Sequence, residues 1–228
     1  MINGNSIFIF GSTGYIGNYI TSSFSRENIE YATFGRSSKN NFFLDLNKPD
    51  FHSLNVVKKG DKFIFLAGIA SPSKCSDNVS KANLINLENT RKVIRFLINR
   101  GVEVLFASSD VIYGETDFLV TERSMAKPKG IYAEMKYEVE KAFIQDKNFY
   151  SMRLSYVWAI NNNFSKLLYR ASDHNEIVSI YHPLVRSIVS INDVITFVKS
   201  FCVEKKIFPK IVNLAGPDFL SRKDLIKE

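Results

Sequence analysis

Ser6-Ile-Phe-Ile-Phe10, followed without a break by Gly11-Ser-Thr-Gly-Tyr-Ile-Gly17, decides the fold. The apolar run Ile7 to Phe10 has no polar alternation, which is the signature of a strand covered on both faces. Glycines then fall three apart at 11, 14 and 17, and a helical stretch runs from about Tyr15 to Phe24. Glycine at the first position permits a tight turn. At the second it lets backbone approach a pyrophosphate, and at the third it lets helix and strand pack closely. The pyrophosphate would rest on the helix N-terminus, where unpaired N–H groups and the helix dipole favour anions. A glycine triplet alone is weak evidence; its strand-turn-helix setting makes it a dinucleotide signal. On that reading Gly11, Ser12, Thr13, Gly14, Tyr15, Ile16 and Gly17 cradle a cofactor.

Working outward, Tyr31–Phe34 reads as a second strand, Asn41–Leu44 as a weaker third and Lys62-Phe-Ile-Phe-Leu-Ala67 as a fourth. Leu84, Leu87, Val93, Ile94, Leu97 and Ile98 recur near helical spacing across Ser80–Arg100, with Gly101 placed as the C-terminal cap. Val102–Ala107 is a fifth strand, Ile131–Gln145 a charged amphipathic helix and Tyr150–Leu154 a sixth strand. Such alternation implies right-handed crossovers and an α/β fold with a Rossmann-type, doubly wound parallel sheet. Beyond Leu154 the pattern loosens. Asn161-Asn-Asn163 reads as a turn capping a helix through Ser172, followed by a short strand near Ile177–Ile180 and an extended Val185–Ser190. A helix over Asn192–Val203 and a strand over Ile211–Leu214 come next, and Ser221 with Asp224 forms a capping box. The domain reading is a dinucleotide lobe over 1–158, with returning elements in 185–214, and a small substrate lobe over 159–228.

The composition agrees with an ordinary globular chain. Of 228 residues 45% are hydrophobic and 23% charged, which excludes a disordered tail, a collagen-like repeat and a small disulfide scaffold. Lys and Arg number 30 against 23 Asp and Glu, a formal +7 that suggests an anionic partner. Nucleic acid, a membrane surface and a phosphorylated small molecule all satisfy that charge. The basic residues are scattered apart from Lys58-Lys59 and Lys205-Lys206, and no nucleic-acid motif accompanies them, so a nucleic-acid partner is not expected. Two distant cysteines, Cys75 and Cys202, fit a reduced cytoplasmic setting. Neither a signal peptide nor a segment of transmembrane length is expected, so no membrane partner is.

Three further stretches carry chemistry. After the second strand an NAD site usually places a carboxylate for the adenosine ribose. Here Phe34-Gly-Arg-Ser-Ser-Lys39 offers none, while Arg36 and Ser37, with Lys39 near, suit a 2′-phosphate. NADP(H) is therefore favoured and NAD(H) remains possible; the plain alternative is a solvated basic turn. Tyr132 and Lys136 lie four apart on a helix and so share a face, where a cation can lower the phenol pKa for acid–base work. An exposed helix pair would show the same spacing. Ser108-Ser109-Asp110-Val-Ile-Tyr113-Gly114 follows the fifth strand, where open parallel sheets place their ligand crevice. Its serines could equally well satisfy strand-end backbone groups.

Together these residues resemble the extended short-chain dehydrogenase/reductase family, in the branch acting on nucleotide-activated sugars. The resemblance covers nearly the whole chain: the glycine turn, Asp45-Leu46, Leu66-Ala67-Gly68, Asn86-x-x-x-Thr90, Ser108-Ser109-x-x-x-Tyr113-Gly114 and Tyr132-x-x-x-Lys136. Arg153-Leu-Ser155, the run Arg186 to Val194 and Asn213-Leu-Ala-Gly216 look like its later landmarks. It implies that Tyr132 is the acid–base, that Lys136 orients the nicotinamide ribose, and that Ser109 holds the reacting sugar oxygen. Asp45 and Leu46 would border the adenine; Leu66, Ala67, Gly68 and Asn86 would lie along the cofactor; Arg186 would contact the substrate diphosphate. Arg186 as a surface charge and Asn86 as a packing residue are the alternatives.

Departures from the family pattern narrow the reaction. Sugar-nucleotide 4,6-dehydratases carry Asp-Glu after the catalytic hydroxyl residue, whereas Asp110 is followed here by Val111. That disfavours a dehydratase and leaves Asp110 as a catalytic candidate beside Ser109. The resemblance points first to reduction of a 4-keto hexose on a nucleotide sugar. A 4-epimerase is second, and a non-catalytic NADP(H) sensor third. A homodimer packed on Ser80–Arg100 and Ile131–Gln145 is what relatives imply, and the substrate lobe reads as shortened at its C-terminus.

Overall fold

The computed structural model describes residues 6–116, 118–159, 162–179, 185–204 and 206–227. The dinucleotide-type half runs β1 (Ile7–Phe10), α1 (Tyr15–Arg26), β2 (Ala32–Gly35), β3 (Phe42–Phe43), β4 (Lys62–Phe65), α2 (Pro72–Asp77), α3 (Val79–Asn83), α4 (Thr90–Asn99) and β5 (Glu103–Ser109). After it come α5 (Ile131–Phe143), β6 (Phe149–Leu154), β7 (Tyr156–Trp158), α6 (Asn163–His174), β8 (Val185–Ser190), α7 (Ile191–Val203), β9 (Ile211–Leu214), β10 (Phe219–Ser221) and α8 (Asp224–Lys227).

Seven strands form one parallel sheet in the order β3-β2-β1-β4-β5-β6-β9. The strands alternate chemically from face to face. Phe8, Phe10, Phe34, Phe63, Phe65, Phe106 and Phe149 pack on one side beneath Val93, Ile94 and Leu97 of α4 and Val139 and Phe143 of α5. Ile7, Ile9, Ile64, Leu105, Met152 and Leu154 face the other way, onto Ile20 and Phe24 of α1 and Val194, Ile195 and Val198 of α7. Both faces are covered by helices, which is why the strands read as unbroken apolar runs. The phenylalanine face is knit by edge contacts, with ring centroids 5.1 Å apart for Phe10–Phe65 and 6.0 Å for Phe65–Phe106. Each such pair adds about 0.5–1.5 kcal/mol beyond its buried area.

The strand order reverses direction between β1 and β4. Chain leaving β1 passes outward to β2 and β3, then returns to the opposite side at β4, so a crevice opens at their carboxyl ends. A second sheet, β10-β8-β7, stands beside it, with β8 parallel to β7 and antiparallel to β10. Within the stretch 185–214 only α7 and β9 therefore return to the large sheet; β8 does not. β7 likewise belongs to the second sheet although the expected boundary at 158 put it in the first lobe.

Other expectations shift in detail. The single helix over Ser80–Arg100 is α3 and α4 joined by a π-helical turn, Leu84–Asn89, across which Thr90 Oγ1 donates to the Ile85 carbonyl at 2.8 Å. Residues 177–179 form no strand, and Ile180 lies outside the described residues, as do Asn161 and Lys205. Asn162 caps α6 by accepting from the Phe164 and Ser165 N–H groups at 2.7 and 2.9 Å. Gly101 ends α4 at φ +76°, and Ser221 and Asp224 exchange their capping bonds at 2.9 and 3.2 Å. Among the described residues no helix is long and apolar enough to cross a membrane.

Candidate active site

The glycine turn is built by close approach. Gly11 sits at φ +95°, and a Cβ on it would lie 2.8 Å from the Ala67 nitrogen. A Cβ on Gly17 would lie 2.2 Å from the Gly11 carbonyl oxygen, so α1 can dock on the turn only with glycine there. Gly14 is the N-cap of α1 and supplies no side-chain cap, and the first turn holds no acidic residue. The leading N–H groups of α1 are thus left to an outside anion. These features fit a dinucleotide pyrophosphate. A groove of about 1120 Å³ continues from Thr13, Gly14 and Tyr15 along α1 to Arg26 and Lys166.

Around the turn stand the other expected cofactor residues. Arg36 is exposed and Ser37 half-buried, directly after β2. Asp45 turns its carboxylate onto the Asn47 N–H at 2.9 Å, while Leu46 is buried in the phenylalanine-side core. The Leu66 N–H donates to the Phe10 carbonyl at 2.9 Å, which brings Leu66, Ala67 and Gly68 beside the glycine turn. Asn86 is buried and grips Ile69 twice, accepting its N–H at 2.8 Å and donating to its carbonyl at 2.9 Å. It lies against Gly68, where an added Cβ would come 2.9 Å from its Oδ1. Its observed bonds are therefore structural ones that shape the end of β4.

The chemistry gathers at the end of β5. Ser109 Oγ accepts from the Val111 N–H at 3.4 Å, with Asp110 Oδ1 at 3.3 Å and the Leu154 carbonyl at 3.4 Å in reach of its proton. Arg186, from β8, ion-pairs with Asp110 rather than standing apart at the lobe surface. Burial raises the Asp110 pKa against the opposing pull of Arg186. Lys136 is buried and donates from Nζ to the Ala107 carbonyl at 2.6 Å, with Phe106 and Tyr132 rings 4.5 and 5.9 Å from its charge. Burial lowers the Lys136 pKa to about 8, with Glu140 and Cys75 acting in the other direction.

Tyr132 corrects one expectation. Burial pushes its phenol up to about 12, helped by Cys75 and Asp110 and resisted by Arg186. Burial outweighs the charges that favour the phenolate. At neutral pH Tyr132 is protonated.

Glu140, Asn40 and Asn89 escaped the sequence reading, while Cys75, Tyr113, Arg153 and Asn213, named there without a role, gain one. Cys75 sits between the Ile69 carbonyl and the Asn86 amide, each 3.5 Å away, below Tyr132 and Met135. Glu140 continues the Tyr132–Lys136 face of α5 and binds Arg153 through two nitrogens, with 2.6 Å to Nη2. Arg153 Nη1 then donates to Tyr113 Oη at 2.6 Å, and Tyr113 donates to Asn213 Oδ1 at 2.8 Å. The spacing i, i+4, i+8 of Tyr132, Lys136 and Glu140 was the available signal for Glu140. Asn40 and Asn89 carry no motif. Asn89 fixes the Asp45-Leu46 turn by donating to the Leu46 carbonyl at 2.8 Å. Among the described residues no cluster of His, Cys, Asp and Glu could hold a metal.

A family model described as the RmlD substrate binding domain matches residues 5–206. The chain belongs to that family. The resemblance to the extended short-chain dehydrogenases/reductases is thereby borne out, and so is the Rossmann-type sheet. Among curated proteins the chain is similar to the bifunctional polymyxin resistance protein ArnA of Wigglesworthia glossinidia brevipalpis, 24% identical over 189 residues. That match covers 74% of this chain but only 27% of the relative, so the chain spans about a quarter of its length. Among solved structures, MoeE5 in complex with UDP-glucuronic acid and NAD superposes with a TM-score of 0.84 at 18% identity, over 98% of this chain and 80% of that one. The Thermus thermophilus UDP-glucose 4-epimerase in complex with NAD gives 0.81 at 18% identity, over 97% and 81%. At such identities these likenesses speak to fold.

Proposed function

We propose that the chain is a cytoplasmic NADP(H)-dependent oxidoreductase that reduces a 4-keto hexose carried on a nucleoside diphosphate. The observation that carries this reading is Lys136, donating to the Ala107 carbonyl of β5 and standing 5.9 Å from the Tyr132 ring, while Ser109 ends the same strand; the glycine cradle after β1 supports it. Membership of the RmlD substrate-binding domain family supports the substrate class. Arg36 and Ser37, with no carboxylate after β2, support NADP(H) over NAD(H).

The nicotinamide, when bound, supplies the hydride. Tyr132 gives its phenolic proton to the carbonyl oxygen as C4 is reduced, and Ser109 holds that oxygen by a hydrogen bond. Lys136, on the same face of α5, steadies the phenolate left behind. Arg186, ion-paired with Asp110, meets the substrate diphosphate, and Asp110 stands beside Ser109 as a further catalytic candidate. A homodimer packed through α3, α4 and α5 belongs to the same proposal.

Acid–base help of this kind contributes about 10²–10⁴-fold to rate. Tyr132→Phe should therefore cut turnover by about that factor, while NADPH affinity measured by fluorescence titration stays within about threefold. Near-normal turnover of Tyr132→Phe on a 4-keto nucleotide sugar would remove Tyr132 from the mechanism. Isomerisation of a 4-hydroxy sugar with no net NADPH change would assign the 4-epimerase reaction in place of reduction.

A further inference from the structure

One side chain ties the turn after β2 to the glycine turn. Asn40 Oδ1 accepts from Ser12 Oγ at 2.6 Å, and Asn40 Nδ2 donates to the Ser37 carbonyl at 3.0 Å. The Asn40 backbone N–H donates to the same carbonyl at 3.0 Å. Room for the amide comes from Gly35, where a Cβ would lie 2.6 Å from Asn40 Nδ2. The next residue, Asn41, accepts from the Thr33 N–H and hydroxyl at 2.8 and 3.0 Å and so fastens the far end of the turn to β2. Segment 36–40 is closed on itself and anchored at both ends. Ser12, buried and expected to touch cofactor, spends its single proton on this tie.

We infer that Asn40 is a positioning residue that sets discrimination between NADPH and NADH, by holding the Arg36–Ser37 turn at a fixed distance from the pyrophosphate cradle. The inference rests on the NADP(H) reading above. The two cofactors differ only by the 2′-phosphate, so selectivity requires cationic and hydroxyl groups at a set spacing from the shared pyrophosphate. Arg36 and Lys39 are exposed, and neither enters an ion pair among the described residues. Their backbone supplies the order that the long side chains lack, and order fixed before binding is affinity retained. The glycine turn has ties of its own, from the Gly11 N–H to the Phe34 carbonyl at 3.2 Å and from the Gly14 N–H to the Gly11 carbonyl at 3.0 Å. Loss of Asn40 therefore frees the 2′-phosphate side and leaves the pyrophosphate side in place.

The test is calorimetric titration of the whole chain with NADPH and with NADH, for wild type, Asn40→Ala, Ser12→Ala and the double variant. Asn40→Ala should weaken NADPH by about tenfold, the scale of one hydrogen-bonded tie, and NADH by less than about threefold. Ser12→Ala removes the other half of the same contact, so the double variant should be no weaker than Asn40→Ala. A merely structural loosening would weaken both cofactors alike, or additively across the two sites, and either result overturns the inference. Asn41→Ala, which unfastens the far end of the same turn from Thr33 outside the cradle, keeps the test available should Asn40→Ala misfold, and should likewise weaken NADPH more than NADH. Wild type that binds neither cofactor, or binds NADH as tightly as NADPH, would instead remove the NADP(H) reading and the inference with it.

Discussion

Gly17→Ala sets two elementary effects against each other. Gly17 lies in the first turn of α1, a helix of 12 residues, where alanine is favoured over glycine by about 1 kcal/mol. Propensity alone therefore predicts a more stable protein. The added Cβ, however, would stand 2.2 Å from the Gly11 carbonyl oxygen and 2.8 Å from Ser12 Cα, against 3.4 Å or more for ordinary contact. Helix and turn would have to part by about 1 Å, an overpacking that costs about 1–3 kcal/mol or more when backbone must move. At the upper end the balance is a net loss of about 2 kcal/mol, which for a chain of this size lowers Tm by about 4–8 °C. The same displacement carries Gly14 and the leading N–H groups away from the pyrophosphate, so NADPH affinity should fall by about tenfold or more. Thermal and urea unfolding give the first quantity and fluorescence titration the second. A variant as stable as wild type, or more so, with unchanged NADPH affinity would refute both the close approach and the cradle.

Two further perturbations probe the charges behind the site. Arg153→Met strands Glu140, whose side chain is 2% exposed, and should cost about 3–5 kcal/mol in urea unfolding. Glu140→Met added to it should recover part of that loss, and a single-variant cost below about 1 kcal/mol would contradict the buried pair. Lys136 has a folded pKa lowered from 10.5 to about 8, so the unfolded chain binds more protons between those values and stability rises with pH across that window. Relative to Lys136→Met, wild type should gain about 2 kcal/mol between about pH 7 and pH 9.5, and a flat difference would show the ammonium to be well solvated.

The cofactor half of the fold was legible because its signals are local. Ile7 to Phe10 and Lys62 to Phe65 could be read as doubly covered strands from composition alone, and the three glycines announce close packing that their geometry bears out. Gly101 and the Ser221–Asp224 box likewise act within a few residues of themselves. What escaped depends on partners distant in sequence. β7 and β10 are three-residue strands that exist through pairing with β8, and neither has a period long enough to read. Helix spacing with Lys136 predicts a lowered Tyr132 pKa, but burial beneath neighbouring elements decides the sign. Arg186 meets Asp110 across 76 residues, and Asn40 meets Ser12 across 28; such contacts require the folded sheet. The surplus of basic residues, ambiguous by count, includes Lys136, Arg153 and Arg186 in named roles at or behind the site, and Arg36 stands exposed where a phosphate could meet it.

Everything proposed for this chain turns on whether its strand-end site moves a hydride from NADPH to a 4-keto nucleotide sugar. The most direct test follows NADPH absorbance as the purified chain is mixed with a panel of 4-keto dTDP- and UDP-hexoses, each product being identified by mass. The expected result is NADPH oxidation in step with gain of two hydrogens by one of these sugars, lost in Tyr132→Phe. Tight NADPH binding with no change in any sugar would contradict it.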